Sequence, residues 1–268
     1  MFDMFTYPFM QRALLVGLMI AICAALVGVS LVLRKNSMIG DSLSHTAFSA
    51  FALATVLGLT PLYFALPVVI IASFFVLRLS RNRKMHGDAA IAVLSASSLA
   101  IGTMAISVSK GVNIDLNSYL FGSILSVSWS DVLLSAILAA AVILLYLFAY
   151  HRIFAITFDE EFAKSVGVKT GAYDAIFAAI CSVVVVLGMR LLGSLLISSL
   201  IIFPTLSAMR LCRTFKGIVF TSVIISTIAF VAGLMASYIF ATPTGATVVI
   251  ANLIVFIIAY LIEKIRKC

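Results

Sequence analysis

Charge is scarce in this chain: Asp, Glu, Lys and Arg supply only 10% of its 268 residues. A soluble domain carries about a quarter charged residues, so a solvated aqueous fold is excluded and the bilayer must act as solvent. The net charge of +8 offers no nucleic-acid surface either, because the basic residues fall in short clusters between apolar runs. Four cysteines (Cys23, Cys181, Cys212 and Cys268) have no CxxC or other ligand spacing and read as small membrane-facing residues. The sequence contains no GxxxxGK(S/T) phosphate loop, no HExxH pair and no GxSxG elbow. It is therefore no ATPase, and its connections are too short for a catalytic domain. The N-terminus, MFDMFTYPFMQR, lacks a basic n-region and a small-residue cleavage site, so no cleavable signal peptide is expected. Its aromatics suit a segment at the membrane interface.

What the chain has in abundance is hydrophobic sequence, 63% of all residues with a mean hydropathy of +1.23. A helix needs about 20 apolar residues to cross the hydrocarbon core. Nine segments meet that requirement: 12–33, 38–59, 62–79, 88–108, 130–150, 172–190, 193–211, 217–240 and 244–262. The expected fold is a single all-α, polytopic bundle over residues 1–268, with eight spans if one segment proves re-entrant or interfacial. The second, fourth and seventh spans are rich in Ser, Ala and Gly and are expected to pack closely against other helices.

Charge gives the orientation. Fifteen basic residues, in clusters such as Arg34–Lys35, Arg81–Lys84 and Arg210–Lys216, fall in alternate connections. Only Arg12, Lys110 and Arg190 lie on the other side. The positive-inside rule then places the N-terminus outside and the C-terminus in the cytoplasm. The outer connection at 110–131 holds an apolar stretch too short to cross, suited to a surface helix or to a dip back into protein.

Two features carry chemistry. Asp41 and His45, in RKNSMIGDSLSHTAF, stand one helical turn apart on one face of the second span. Placing either group among apolar residues is costly unless it is paired or lines water. Carboxylate oxygen with imidazole nitrogen suits zinc, manganese or ferrous iron. The same pair also admits a plain structural reading, with Asp41 capping the helix start near Arg34 and His45 bonded to a neighbouring helix. Two ligands make no closed site, so a partner helix or a second copy must contribute. His86, in a basic loop, reads as solvated, and His151 as interfacial.

The second feature lies in the cytoplasmic connection. Phe158, Phe162 and Val166 recur every fourth residue opposite Asp159, Glu160 and Lys164. This predicts a short amphipathic helix near 158–167, with acidic residues at its positive end and Gly167 as its stop. Such a helix lies on the membrane or docks on a cytoplasmic protein. Acidic residues at its start favour the protein, since lipid-surface helices prefer Lys and Arg.

Together these segments resemble the membrane permeases of ABC transporters for zinc, manganese and iron, the uptake systems served by cluster A-I metal-binding proteins. The resemblance runs along nearly the whole chain, through PFMQRALL, RKNSMIGDSLSHTAFSAFAL, YLFGSIL, FDEEFAKSVGV, VVVLGMRLLGSLLISSLIIFPTLSAMRL and PTGATVVI. It implies that Asp41 and His45 are metal ligands on the translocation path. It implies that Phe158, Asp159, Glu160, Glu161, Phe162 and Gly167 belong to the helix that docks on the ATPase. Pro204 matches a family proline, and its missing N–H should bend the seventh span. Many members, particularly manganese-type ones, read H-x-x-L-P-G after the histidine. Here Ser49 and Ala50 replace the Pro-Gly pair, which leans the reading towards zinc.

The resemblance further implies a subunit without enzymatic activity of its own, resident in the bacterial cytoplasmic membrane. Its expected partners are a second copy, ABC ATPase subunits, an external metal-binding protein and membrane lipid. No cofactor is bound permanently, and the transported divalent metal is the only ligand. The competing expectations are a permease for a metal chelate of siderophore or cobalamin type, a proton-coupled secondary carrier and an intramembrane enzyme. The last would need a second histidine close to His45 in sequence, and none is there.

Overall fold

In lipid every backbone N–H and C=O must be satisfied within the protein, and for uniformly apolar segments the helix is the local solution. The computed structural model describes residues 7–80, 87–109, 122 and 127–267. Among the described residues there are ten helices and no strand: α1 (Pro8–Leu33), α2 (Met38–Val56), α3 (Pro61–Ser80), α4 (Gly87–Val108), α5 (Trp129–Phe158), α6 (Glu160–Ser165), α7 (Thr170–Leu192), α8 (Ser194–Leu211), α9 (Phe215–Phe240) and α10 (Thr244–Lys267). Eight of them are long and apolar enough to cross a membrane. The ninth long helix, α2, has 19 residues, but Asp41, His45 and its serines lower its hydropathy. It is shielded by α3, α4, α7 and α8 instead.

Local chemistry sets several boundaries. Pro8 and Pro61 open α1 and α3, where a missing N–H costs nothing. Ser128 and Asp131 form a reciprocal capping box at the start of α5. The Thr214 hydroxyl accepts from Gly217 N–H at 3.2 Å to start α9. Helix α5 runs on through His151 and Arg152 to Phe158, eight residues beyond the expected 150. Pro204 is buried inside α8, which continues through it as one helix.

The core sits on α1, which packs against α5, α7, α8 and α9. In its most apolar stretch 72% of residues are buried, against 22% in α3, α4 and α10, which therefore turn apolar faces outward to lipid. The fourth span departs from expectation here. Although rich in Ser and Ala, α4 packs closely only along the side facing α2, and Ala96, Ala100 and Thr103 stay exposed. Small residues permit close packing without requiring it.

Hydroxyl groups tie the interior together across helices. Tyr146 of α5 donates to the Leu26 carbonyl of α1, and its oxygen lies 2.6 Å from Ser30 Oγ. Ser226 of α9 donates to the Ala21 carbonyl at 2.9 Å. Among the described glycines the tightest backbone approach is at Gly28, where an added Cβ would stand 2.1 Å from the Ile201 carbonyl oxygen. Helices α1 and α8 meet there with no room for a side chain between them.

Candidate metal path and docking helix

Helix α2 is buried along almost its whole length. Between Met38 and Ala52 only Met38, Asp41 and His45 retain appreciable exposure. Spaced three and four residues apart, they form one open stripe on an otherwise enclosed helix. Within it His45 Nε2 lies 3.6 Å from Asp41 Oδ2, with side chains 25% and 37% exposed. Ser198 of α8 borders the pair, its hydroxyl 3.3 Å from Ser44 Oγ, while Ser44 donates to the Asp41 carbonyl at 2.7 Å.

The depth of the pair follows from the packing. Ile201 of α8 reaches both Gly28 of α1 and Gly40 of α2, so Gly40 is level with Gly28 rather than with the end of α1. At 1.5 Å per residue, Gly40 lies roughly 7 Å inside the level of Leu33, and α2 begins about 3 Å nearer that level. Gly188, Ile197 and Ile20 meet at another level, and Ile20 is the mid-length residue of α1. Asp41 and His45 lie between these two levels, within about 10 Å of the middle of the bundle. Asp41 is therefore no helix cap. Ser37 holds that position, and Arg34 is engaged elsewhere.

Among the described residues no group of three or more His, Cys, Asp or Glu side chains is placed to hold a metal ion. One chain thus offers a carboxylate and an imidazole, half of a tetrahedral set. The open stripe leaves both accessible to ligands from outside the chain.

The segment expected to dock is built differently from a ten-residue helix. Phe158 ends α5, packed on Phe154 and Phe215 with ring centroids 5.0 and 6.0 Å away. Asp159 then breaks the helix with extended backbone (φ −148°, ψ 96°), and its carboxylate accepts from Phe162 N–H at 2.9 Å to cap α6. Only Glu160–Ser165 is helical. Gly167 ends the segment at φ +85°, a conformation other residues adopt at a cost. Phe158, Phe162 and Val166 are each exposed, although the break at Asp159 leaves Phe158 on a different helix from Phe162, and Glu161 is 88% exposed. Glu160 behaves otherwise: it turns back to Lys164 at 3.1 Å and Arg34 at 3.5 Å. Together with Glu161, it holds the Lys164 ammonium above its usual pKa.

Sequence reasoning missed Arg34 and Asp174. The Arg34 guanidinium donates to Asp174 Oδ1 at 2.7 Å, joining the end of α1 to the first turns of α7. With 140 residues between them, no local pattern links the two. His151 is exposed on α5 beside Tyr150, within a helix that continues past it to Phe158. His86 and most of the 110–131 connection fall outside the described residues.

Comparison with known proteins agrees with this layout. The ABC 3 transport family matches residues 6–263. The zinc uptake system membrane protein ZnuB of Haemophilus influenzae is 28% identical over 92% of this chain and 95% of its own. The manganese import permease ScaB of Streptococcus gordonii is 28% identical over 97% of this chain and 94% of its own. The structure of PsaBC from Streptococcus pneumoniae superposes with a TM-score of 0.83 at 30% identity, covering 95% of this chain and 91% of the other. A bundle of membrane-crossing helices with this sequence order places the protein in the cytoplasmic membrane as a multi-pass subunit, and the chain belongs to the ABC 3 transport family.

Proposed function

We propose that this chain is the membrane-spanning subunit of an ATP-driven importer for a divalent transition metal, with zinc the favoured cargo and Asp41 and His45 its ligands. The observation that carries the reading is the stripe on α2: a carboxylate and an imidazole 3.6 Å apart, within about 10 Å of the middle of the bundle, on the open face of a buried helix. Polar groups that lipid would penalise are held where an ion crossing the bundle would meet them. Relatives named for zinc uptake and manganese import support the class of cargo.

Two copies, each contributing Asp41 and His45, would supply two oxygens and two nitrogens, a set zinc accepts in tetrahedral geometry. The preference for zinc rests on Ser49 and Ala50, which stand where many manganese-type members have Pro-Gly. Here α2 runs on without interruption to Val56 above the ligands. ATP hydrolysis belongs to a separate cytoplasmic subunit that docks on Phe158, Phe162 and Val166, and an external binding protein delivers the metal. The N-terminus lies outside and the C-terminus in the cytoplasm.

The test is zinc uptake into liposomes containing the permease and its ATPase. In His45→Ala and Asp41→Asn the loss of a ligand should weaken metal binding by at least about 100-fold, more than outer-shell changes cost. Uptake should collapse while assembly with the ATPase continues, and manganese should compete poorly in the native complex. Undiminished zinc uptake by His45→Ala removes the site assignment. Uptake by the permease alone, without ATP, replaces the reading with a proton-driven carrier.

A further inference from the structure

Arg34 bonds both α6 and a membrane-crossing helix. Its guanidinium holds Asp174 Oδ1 at 2.7 Å and Glu160 Oε2 at 3.5 Å, with the Arg34 side chain 16% exposed, Asp174 8% and Glu160 28%. Arg34 follows the last residue of α1, and α2 begins four residues later. The intervening turn is taut. Lys35 takes the left-handed conformation at φ 60°, Asn36 N–H donates to the Leu31 carbonyl at 2.9 Å, and Ile39 N–H donates to the Asn36 carbonyl at 3.1 Å. A displacement of Arg34 is therefore passed to Met38 and on to Asp41 with little slack.

The two contacts differ in kind. Asp174 is buried, and breaking a buried pair leaves a charge in a medium of low dielectric. Glu160 is more exposed, its contact with Arg34 is longer, and Lys164 on its own helix lies nearer at 3.1 Å. Glu160 can release Arg34 and keep a counter-ion. Resting on the functional reading above, we propose that Arg34 is a positioning residue that couples α6 to the Asp41–His45 helix. Its bond to Asp174 is the fixed anchor, and its contact with Glu160 is the one that opens and closes as the docked ATPase moves α6.

The experiment measures three quantities on the permease–ATPase complex in liposomes: assembly, zinc taken up per ATP hydrolysed, and zinc binding without ATP. Arg34→Gln should assemble and hydrolyse ATP, yet lose about five-fold or more in zinc per ATP, the scale of a typical coupling energy. Glu160→Gln, which spares the buried anchor, should show the same loss in that ratio with resting zinc binding unchanged. Lys164→Gln, which removes the counter-ion that Glu160 keeps on releasing Arg34, should lower the ratio in the same direction. A native ratio in Glu160→Gln overturns the proposal, and so does a loss that merely tracks reduced assembly. If the native complex takes up no zinc at all, the functional reading fails first and takes this one with it.

Discussion

Gly28 offers a sharp quantitative test of the packing that sets the depth of the metal pair. A methyl group there would stand 2.1 Å from the Ile201 carbonyl oxygen and 2.9 Å from its carbonyl carbon. A carbon and a carbonyl oxygen approach no closer than about 3.3 Å even in weak C–H···O contacts. Helices α1 and α8 must then part by roughly 1 Å, and the obstacle is main chain rather than a side chain that could swing aside. Overpacking costs about 1–3 kcal/mol, and the upper end applies against backbone. Alanine recovers about 1 kcal/mol over glycine in helix propensity, which leaves Gly28→Ala about 2 kcal/mol less stable.

With about 2–4 °C lost per kcal/mol for a chain of this size, the melting midpoint in detergent should fall by about 4–8 °C. Gly171→Ala is the control, because nothing lies within 4 Å of its added carbon. It should melt at or slightly above the native temperature. The Ile201 side chain also rests on Gly40, next to Asp41, so the displaced helix should reduce zinc uptake as well. If Gly28→Ala melts with the native protein and transports normally, the α1–α8 contact is not as close as described. The depth assigned to Asp41 and His45 then falls with it.

Two further outcomes are expected. Phe162→Asp places a charge on the exposed apolar face of α6 and should lower co-purification of the ATPase while leaving the melting temperature unchanged. Tyr146→Phe removes the hydroxyl that bonds Leu26 and Ser30 and should cost about 1 kcal/mol in thermal unfolding, with zinc taken up per molecule retained.

The long helices were legible because lipid allows apolar segments few other conformations. The Asp41–His45 face was legible because four residues make one turn. Depth was not. It depends on where α2 starts relative to α1, and that offset is set by Ile201, far away in sequence, fitting against Gly28 and Gly40. The docking segment shows the same division. Its local repeat picked out Phe158, Phe162 and Val166, all of them exposed, but not the break at Asp159 that leaves Phe158 on α5. Glu160 looked like one more surface acid, because its partner Arg34 lies 126 residues away. The end of α5 was placed too early at 150, since His151 and Arg152 resemble a membrane boundary, although a helix can continue past it into water.

The position of the acid–histidine pair also has an electrical consequence. A membrane potential of about 100 mV, negative inside, is worth about 2.3 kcal/mol per elementary charge carried across. A divalent cation therefore releases about 4.6 kcal/mol on the full inward journey. Asp41 and His45 lie on the Leu33 side of mid-depth, the cytoplasmic side in the proposed orientation, so more than half of that would be released in reaching them and the rest in leaving. In the proposed orientation the voltage draws the ion onto its ligands and then off them in the same direction. It opposes return to the outside, so ATP need not supply the whole bias for import.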